Sequence, residues 1–362
     1  MNRLSGFRGY RTVAARVTRV MVGVTAVSAV VLSTAGLGAG AAAANTVIGT
    51  VPVGNFPIGV AVTPDGSHAY VASSRDDSVS VIETAGNTVV GTVDVGDEPI
   101  LVAVAPNGSR AYVANVDSDS VSVIETAGNT VVGTVDVGNG PQGVAVSPDS
   151  SRVYVTNGFG DSVSVIETAG NTVVGTVDVG GEPVGVAVSP DGSRVYVANV
   201  DSDSVSVIET AGNTVVGTVD VGDEPIGVAV APDGSRVYVT NYGGDSVSVI
   251  ETAGNTVVDT IYAGNVPIGA AVTPDGSRVY VTNRDDNTVS VVETAGNTVV
   301  ATVAVGAFPT WVAVSPDGSR AYVTNAFDNS VSVIEIERCL GSLCIDLGSL
   351  TGSGSGAGGV FG

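Results

Sequence analysis

One 42-residue unit repeats seven times without insertion or deletion, and this period constrains the fold more than any other feature of the chain. The copies begin at Asn45, Asn87, Asn129, Asn171, Asn213, Asn255 and Asn297, and together they fill 294 of the 362 residues. The fifth copy shows the pattern cleanly. Four apolar runs, Thr214–Val221, Gly227–Ala231, Ser235–Asn241 and Ser246–Thr252, are separated by turn chemistry. Alternation such as GVAV, RVYV and SVSVI has the period of a pleated strand. Pro232-Asp233-Gly234 presets one tight turn, Ala253-Gly254-Asn255 makes the next, and Gly222-Asp223-Glu224-Pro225 links one unit to its successor. No stretch of the repeat region carries helical periodicity beyond about a turn.

Four strands per unit of about 40 residues, repeated four to eight times, define a β-propeller. A β-helix needs a much shorter period, and a sandwich does not repeat internally in this way. The expected fold is therefore all-β, a seven-bladed β-propeller of four-stranded antiparallel blades spanning residues 45–338. The GVAV run is the innermost strand and NTVVGTVDV the outermost. The repeat region then begins with an outer strand, Thr46–Val53, and ends with three strands, Trp311–Glu335, that lack one. Pairing the two closes the ring and removes an open sheet edge.

Four copies carry the tetrad YVTN, at Tyr154–Asn157, Tyr238–Asn241, Tyr280–Asn283 and Tyr322–Asn325, followed by SVSVIET-like runs. Copies one, two and four read YVAS or YVAN at Tyr70–Ser73, Tyr112–Asn115 and Tyr196–Asn199. These residues resemble the YVTN β-propeller repeat family, which includes archaeal surface-layer proteins and secreted bacterial propellers. The resemblance spans all seven copies. It implies the fold, and for function only a broad class of cell-surface or secreted modules.

Residues 1–44 read as a signal peptide. Arg3, Arg8, Arg11, Arg16 and Arg19 precede an uncharged Val/Ala/Gly stretch that ends in Ala41–Ala44. An uncleaved membrane anchor is the alternative, since about 20 apolar residues span a bilayer. Cleavage leaves no transmembrane span and a secreted, extracellular or surface-attached protein, expected as a monomer. The chain has 14 basic and 36 acidic residues, for a net charge of −22. Losing the five leader arginines leaves nine basic residues against 36 acids, near −27. Such a surface repels phosphate backbones, so nucleic acid is not an expected partner. The same charge also keeps a valine-rich surface soluble.

Cys339 and Cys344 follow the last strand within the tail, residues 339–362. In an exported protein the pair is expected to form a small disulfide; metal binding is the lesser alternative, two thiols without a nearby His making a poor site. The Gly/Ser-rich run Gly348–Gly362 reads as flexible.

Function is sought in the loops that differ between copies. The PDG and ETAGN turns barely vary and share one face of the disc. The inter-unit loops and the loops after the YVTN strand vary, and share the other face around the channel mouth, where a rigid scaffold presents binding residues. Phe308 and Phe327 in copy seven become neighbours of Phe56 in copy one when the ring closes. Trp311, the only tryptophan, stands where five copies have Gly and copy two has Leu101, and it begins an innermost strand. Arg75 and Arg284 flank this group. Phe56, Arg75, Arg284, Phe308, Trp311 and Phe327 thus form a candidate site for a small ligand or a glycan; the expected partner of the module as a whole is a protein or a glycan of unknown identity. The alternative is that the aromatics plug the closing seam. Asp117, Asp119, Asp201 and Asp203 supply closely spaced carboxylates of the kind Ca²⁺ favours, or else cap turns by bonding the local backbone. No cofactor is otherwise implied.

Enzyme signatures are sparse. The sole histidine, His68, replaces the Arg of the other six copies and reads as a surface substitution. The chain has no haem-attachment motif, serine elbow or phosphate-binding glycine loop. The reading is an exported propeller acting as a binding or interaction module. A lactonase-like propeller hydrolase and a structural surface-layer component are the alternatives; no lactonase motif is matched residue by residue.

Overall fold

A computed structural model describes residues 45–336 and the backbone of residues 338–340 and 343–345. Seven four-stranded antiparallel sheets form the propeller, each ordered by sequence from the axis outward, except that the last takes its outer strand from the start of the repeats. Blades one to seven are numbered by their inner strands, Pro57–Val62, Pro99–Val104, Pro141–Val146, Pro183–Val188, Pro225–Val230, Pro267–Val272 and Pro309–Val314. No helix among the described residues is long and apolar enough to cross a membrane.

Burial explains the uneven strand composition. The second and third strands, such as Arg236–Asn241 and Ser246–Glu251, are covered on both faces by neighbouring blades and are buried almost throughout. The outer strand, Thr214–Asp220, buries only Val219. Tyr70, Tyr112, Tyr154, Tyr196, Tyr238, Tyr280 and Tyr322 are the largest fully buried side chains. They fill the wedges between blades.

The YVTN tetrad has a residue-level rationale. Each inner strand bulges after its proline, so the register jumps from Pro141↔Asn157 to Val144↔Val155. Thr156 bridges this gap, accepting from the Gly143 amide at 2.7 Å and donating to the Val184 carbonyl of the next blade at 2.8 Å. Thr240 repeats the bridge to Gly227 and Ile268. The closing Asn donates to two serines of the third strand, as Asn157 does to Ser162 and Ser164.

A second set of links runs along the face of the invariant turns. Nη1 of Arg110, Arg152, Arg194 and Arg236 donates to the carbonyls of Thr168, Thr210, Thr252 and Thr294, each on the following blade, at 2.7–2.9 Å. Arg320 does the same to Thr84, carrying the series across the closing seam. His68 departs from the row, and its Nδ1 hydrogen-bonds the Ser67 hydroxyl at 2.8 Å.

The ring closes as its strand count requires. Thr46–Pro52 pairs antiparallel with Ser330–Glu335, from Thr46↔Glu335 to Pro52↔Ser330. Tyr280 donates to Asn45 at 2.8 Å, the counterpart of the Tyr70 to Asn129 bond within the repeat series. Beyond the ring, Arg338–Leu340 and Leu343–Ile345 form a two-stranded ribbon with Cys339 opposite Cys344 in register. The cysteine side chains, and hence their expected bridge, lie outside the described residues, as do residues 1–44 and 346–362.

The turns after the inner strands predict an acid response. Hydrogen bonds from the hydroxyls of Thr63, Ser147 and Ser189, and then from Ser67, Ser151 and Ser193, lower the pKa values of Asp65, Asp149 and Asp191 to about 2. A carboxylate with a lower pKa folded than unfolded stabilises fully above its unfolded pKa, and that contribution disappears as the folded group protonates. The melting midpoint is therefore expected to fall between pH 4 and pH 2. The triple variant Asp65→Asn, Asp149→Asn, Asp191→Asn should start lower and fall less over the same range.

Candidate functional site

At the face of variable loops, one residue per inter-blade loop is fixed in the same way. The seven are Phe56, Glu98, Gly140, Glu182, Glu224, Val266 and Phe308, and all have positive φ. Each carbonyl accepts the first amide of the loop beside it in its own blade, as Phe56 accepts from Ser74 and Phe308 from Ala326. Each amide donates to an Asp or Asn of the preceding blade. Glu98 donates to Asp77, Glu224 to Asp203 and Phe308 to Asn287, all at 2.9 Å, and Phe56 donates to Asn329 across the seam at 2.9 Å.

This double clasp sets the left-handed backbone that glycine adopts most cheaply, yet glycine occupies only one of the seven places. Phe56 at φ 56° and Phe308 at φ 60° hold bulky side chains there, at a cost of about 1 kcal/mol or more each. Strain retained at an aromatic position is a reason to look for a function nearby.

The positions divide into two arcs. Val266, Phe308 and Phe56 belong to blades six, seven and one. Glu98, Glu182 and Glu224 belong to blades two, four and five. In blade three, a Cβ on Gly140 would lie 2.3 Å from the Phe159 ring, which occupies that space.

The aromatic arc is one connected group. Ring centroids of Phe56 and Phe308 are 6.3 Å apart, those of Phe56 and Phe327 are 6.0 Å, and Phe308 stacks on Phe327 at 4.2 Å. The Arg75 guanidinium lies 4.2 Å from the Phe56 centroid. The Arg284 guanidinium lies 5.1 Å from Phe308 and 4.9 Å from Tyr242. Five of the six residues singled out from the sequence therefore meet.

Trp311 does not join them in any ring contact among the described residues. It packs against the seam core of Val51, Val60, Tyr322 and Val331, and its amide donates to Thr324 at 3.0 Å.

The two arginines differ in environment. Arg284 is only 6% exposed, donating to Asp285 at 2.7 Å and to the Tyr242 hydroxyl. Burial alone would lower its pKa, but Asp285 and Tyr242 outweigh that and raise it. Burial also raises the Tyr242 phenol. Arg75 is exposed. Glu98 is shifted up by its own burial and by Asp77, against an opposing pull from Arg75. Replacing Arg284 with Met keeps the stem but removes its bonds to Asp285 and to the partly buried Tyr242 hydroxyl, and is expected to cost about 1–3 kcal/mol in urea unfolding. Arg75→Gln should stay within about 0.5 kcal/mol.

Tyr242 was not singled out from the sequence. It occupies the loop position of Arg284 one repeat earlier, so neighbouring blades bring the two together. Two of the four carboxylates considered for Ca²⁺ serve the clasp. Asp119 accepts from the Gly140 amide at 2.8 Å and Asp203 from Glu224. Asp201 lies in the short 3₁₀ turn Val200–Ser202, and burial raises the Asp117 pKa. No cluster of three or more potential metal ligands occurs among the described residues.

Fold and mouth together define a seven-bladed β-propeller with a polarised opening on its variable face. The family model described as "Lactonase, 7-bladed beta-propeller" matches residues 129–220 and 223–300, a little under half of the chain. Of the aromatic group, only Tyr242 and Arg284 fall within those segments. Among solved structures, a chain of Kuenenia stuttgartiensis hydrazine synthase is similar, with a TM-score of 0.71 and 28% identity over 78% of this chain and 96% of that one. No curated protein matches.

Proposed function

We propose that this protein is a binding propeller working outside the cell or at its surface, and that it takes its ligand on the aromatic arc of the variable mouth. The carrying observation is the uneven exposure of the phenylalanines. Phe56 and Phe308 are 5% and 8% exposed, whereas Phe327, stacked on Phe308, is 52% exposed. A plug for the seam would be covered, and this one presents a ring to solvent on a buried aromatic base.

The placement of the chain ends supports a surface role. Thr46 and Glu335 pair at the invariant-turn end of blade seven. The described strands of the propeller thus begin and end on the face opposite the mouth, so attachment at either of these points would leave the mouth open. The resemblance to surface-layer and secreted propellers supports the same reading.

The test is thermal unfolding of the full chain against a panel of sugars, lactones and divalent ions. A ligand that binds the native state raises the midpoint by mass action, by about 2.7 kcal/mol of stability at a hundred times its Kd. A compound that stabilises the wild type and not Phe327→Ala supports the reading. A panel that shifts neither protein contradicts it.

The lactonase match favours a second reading, hydrolysis of a lactone at the same mouth. Proton release on ring opening, followed in the wild type and in Glu98→Gln, separates the two. Turnover lost in the variant makes the mouth an active site.

A further inference from the structure

The mouth's charges identify the kind of ligand it suits, on the reading that the mouth is a ligand site. Arg75 and Arg284 are the cations of the variable loops in the described propeller. Arg110, Arg152, Arg194, Arg236, Arg278 and Arg320 all start second strands on the opposite side. Arg284 has its donors turned to Asp285 and Tyr242. Arg75 lies over the Phe56 ring. A guanidinium over a ring still has N–H donors for a carboxylate, which it binds with two parallel bonds.

The half-exposed Phe327 ring shares the Phe56 neighbour, its centroid 6.0 Å from that of Phe56. An exposed aromatic ring accepts the apolar C–H face of a sugar as readily as another ring. In the next blade, the Glu98 carboxylate lies within electrostatic reach of Arg75 and is an acceptor for a sugar hydroxyl group. A carboxylate, an apolar ring face and several hydroxyls are the features of one chemical class.

We propose that the aromatic arc takes a carboxylated sugar ring, a uronate, with its carboxylate forked on Arg75 and its apolar face on Phe327. Neither residue lies in the segments that match the lactonase model, so the specificity belongs to this chain's own seam.

The experiment titrates the full chain with methyl glucuronide, methyl glucoside and benzoate by ligand-observed NMR. Wild type, Arg75→Gln, Arg75→Lys and Phe327→Ala are compared after their melting midpoints are shown to agree. The wild type is expected to bind the glucuronide about tenfold more tightly than the glucoside, the size of one charge-assisted hydrogen bond. Arg75→Gln should erase that ratio, Arg75→Lys should restore part of it, and Phe327→Ala should weaken both sugars. Equal binding of the two sugars, or a ratio that survives Arg75→Gln, overturns the uronate and leaves the mouth as a site. Benzoate bound more tightly than the glucuronide overturns the sugar class. If none of the three binds, the uronate is overturned; the wider panel then decides the mouth separately, by whether any compound is lost on Phe327→Ala.

Discussion

Deleting residues 45–54 from the full chain is expected to abolish the folded propeller at 37 °C, whereas deleting residues 353–362 should leave the melting midpoint unchanged. The first segment supplies the outer strand of blade seven, paired residue by residue with Ser330–Glu335. It buries Val51 to 2% exposure and carries Asn45, the acceptor for Tyr280. Burying one valine is worth about 1.5–3 kcal/mol, and each lost ladder bond costs about 1 kcal/mol. The total is on the order of 5 kcal/mol, comparable with the whole stability of many domains. The deletion also exposes the third strand of blade seven as a new edge, so aggregation on sizing chromatography should accompany the loss. Normal melting after this deletion would mean that the ring does not depend on its strand closure.

The second large effect comes from a single methyl group. Gly185 stands where inner strands of adjacent blades approach most closely, and a Cβ there would lie 2.0 Å from the Ile226 carbonyl oxygen. That oxygen is backbone in a neighbouring inner strand, so relief requires moving a blade. Gly185→Ala is expected to cost about 3 kcal/mol, at the upper end for overpacking a core. Gly175 offers the control, because a Cβ at that position meets nothing closer than 3.7 Å. Gly175→Ala should be neutral or slightly stabilising through the unfolded chain. Parallel urea titrations compare the two, and equal midpoints would refute the tight packing of inner strands. Leu101 and Trp311 occupy the equivalent place in blades two and seven; nothing in the structure explains why those blades admit larger side chains.

The fold was legible because the period fixes the blade and the turns fix the strands. The closure followed from counting, since a lone outer strand at one end and three strands at the other have one economical pairing. The same closure brought Phe56, Phe308 and Phe327 into one group, because residues in copies one and seven become neighbours. Other features could not be read in this way. The Arg row that ties Arg110 to Thr168 uses a backbone carbonyl 58 residues ahead, which leaves no mark in side-chain spacing. Asp119 and Asp203 look like ligands when only their own loop is considered. Their acceptors are satisfied by amides 21 residues on, in the next blade. Trp311 shares its strand with the mouth, but its direction depends on the bulge, and it faces the seam core.

The aromatic group also shows why composition is a poor guide to a site. The chain is acidic overall, yet its two variable-loop arginines stand within about 5 Å of aromatic rings in one arc. Net charge governs long-range encounter. The contacts that select a ligand are local.

The most direct test of the account is a comparison of stability and ligand response in Phe327→Ala. If the exposed ring belongs to a binding surface, the variant should melt within a degree or two of the wild type. Any compound that stabilises the wild type should then lose its effect. A variant that melts well below the wild type while neither protein responds to the panel would contradict the account, leaving the aromatic arc as packing for the closing seam.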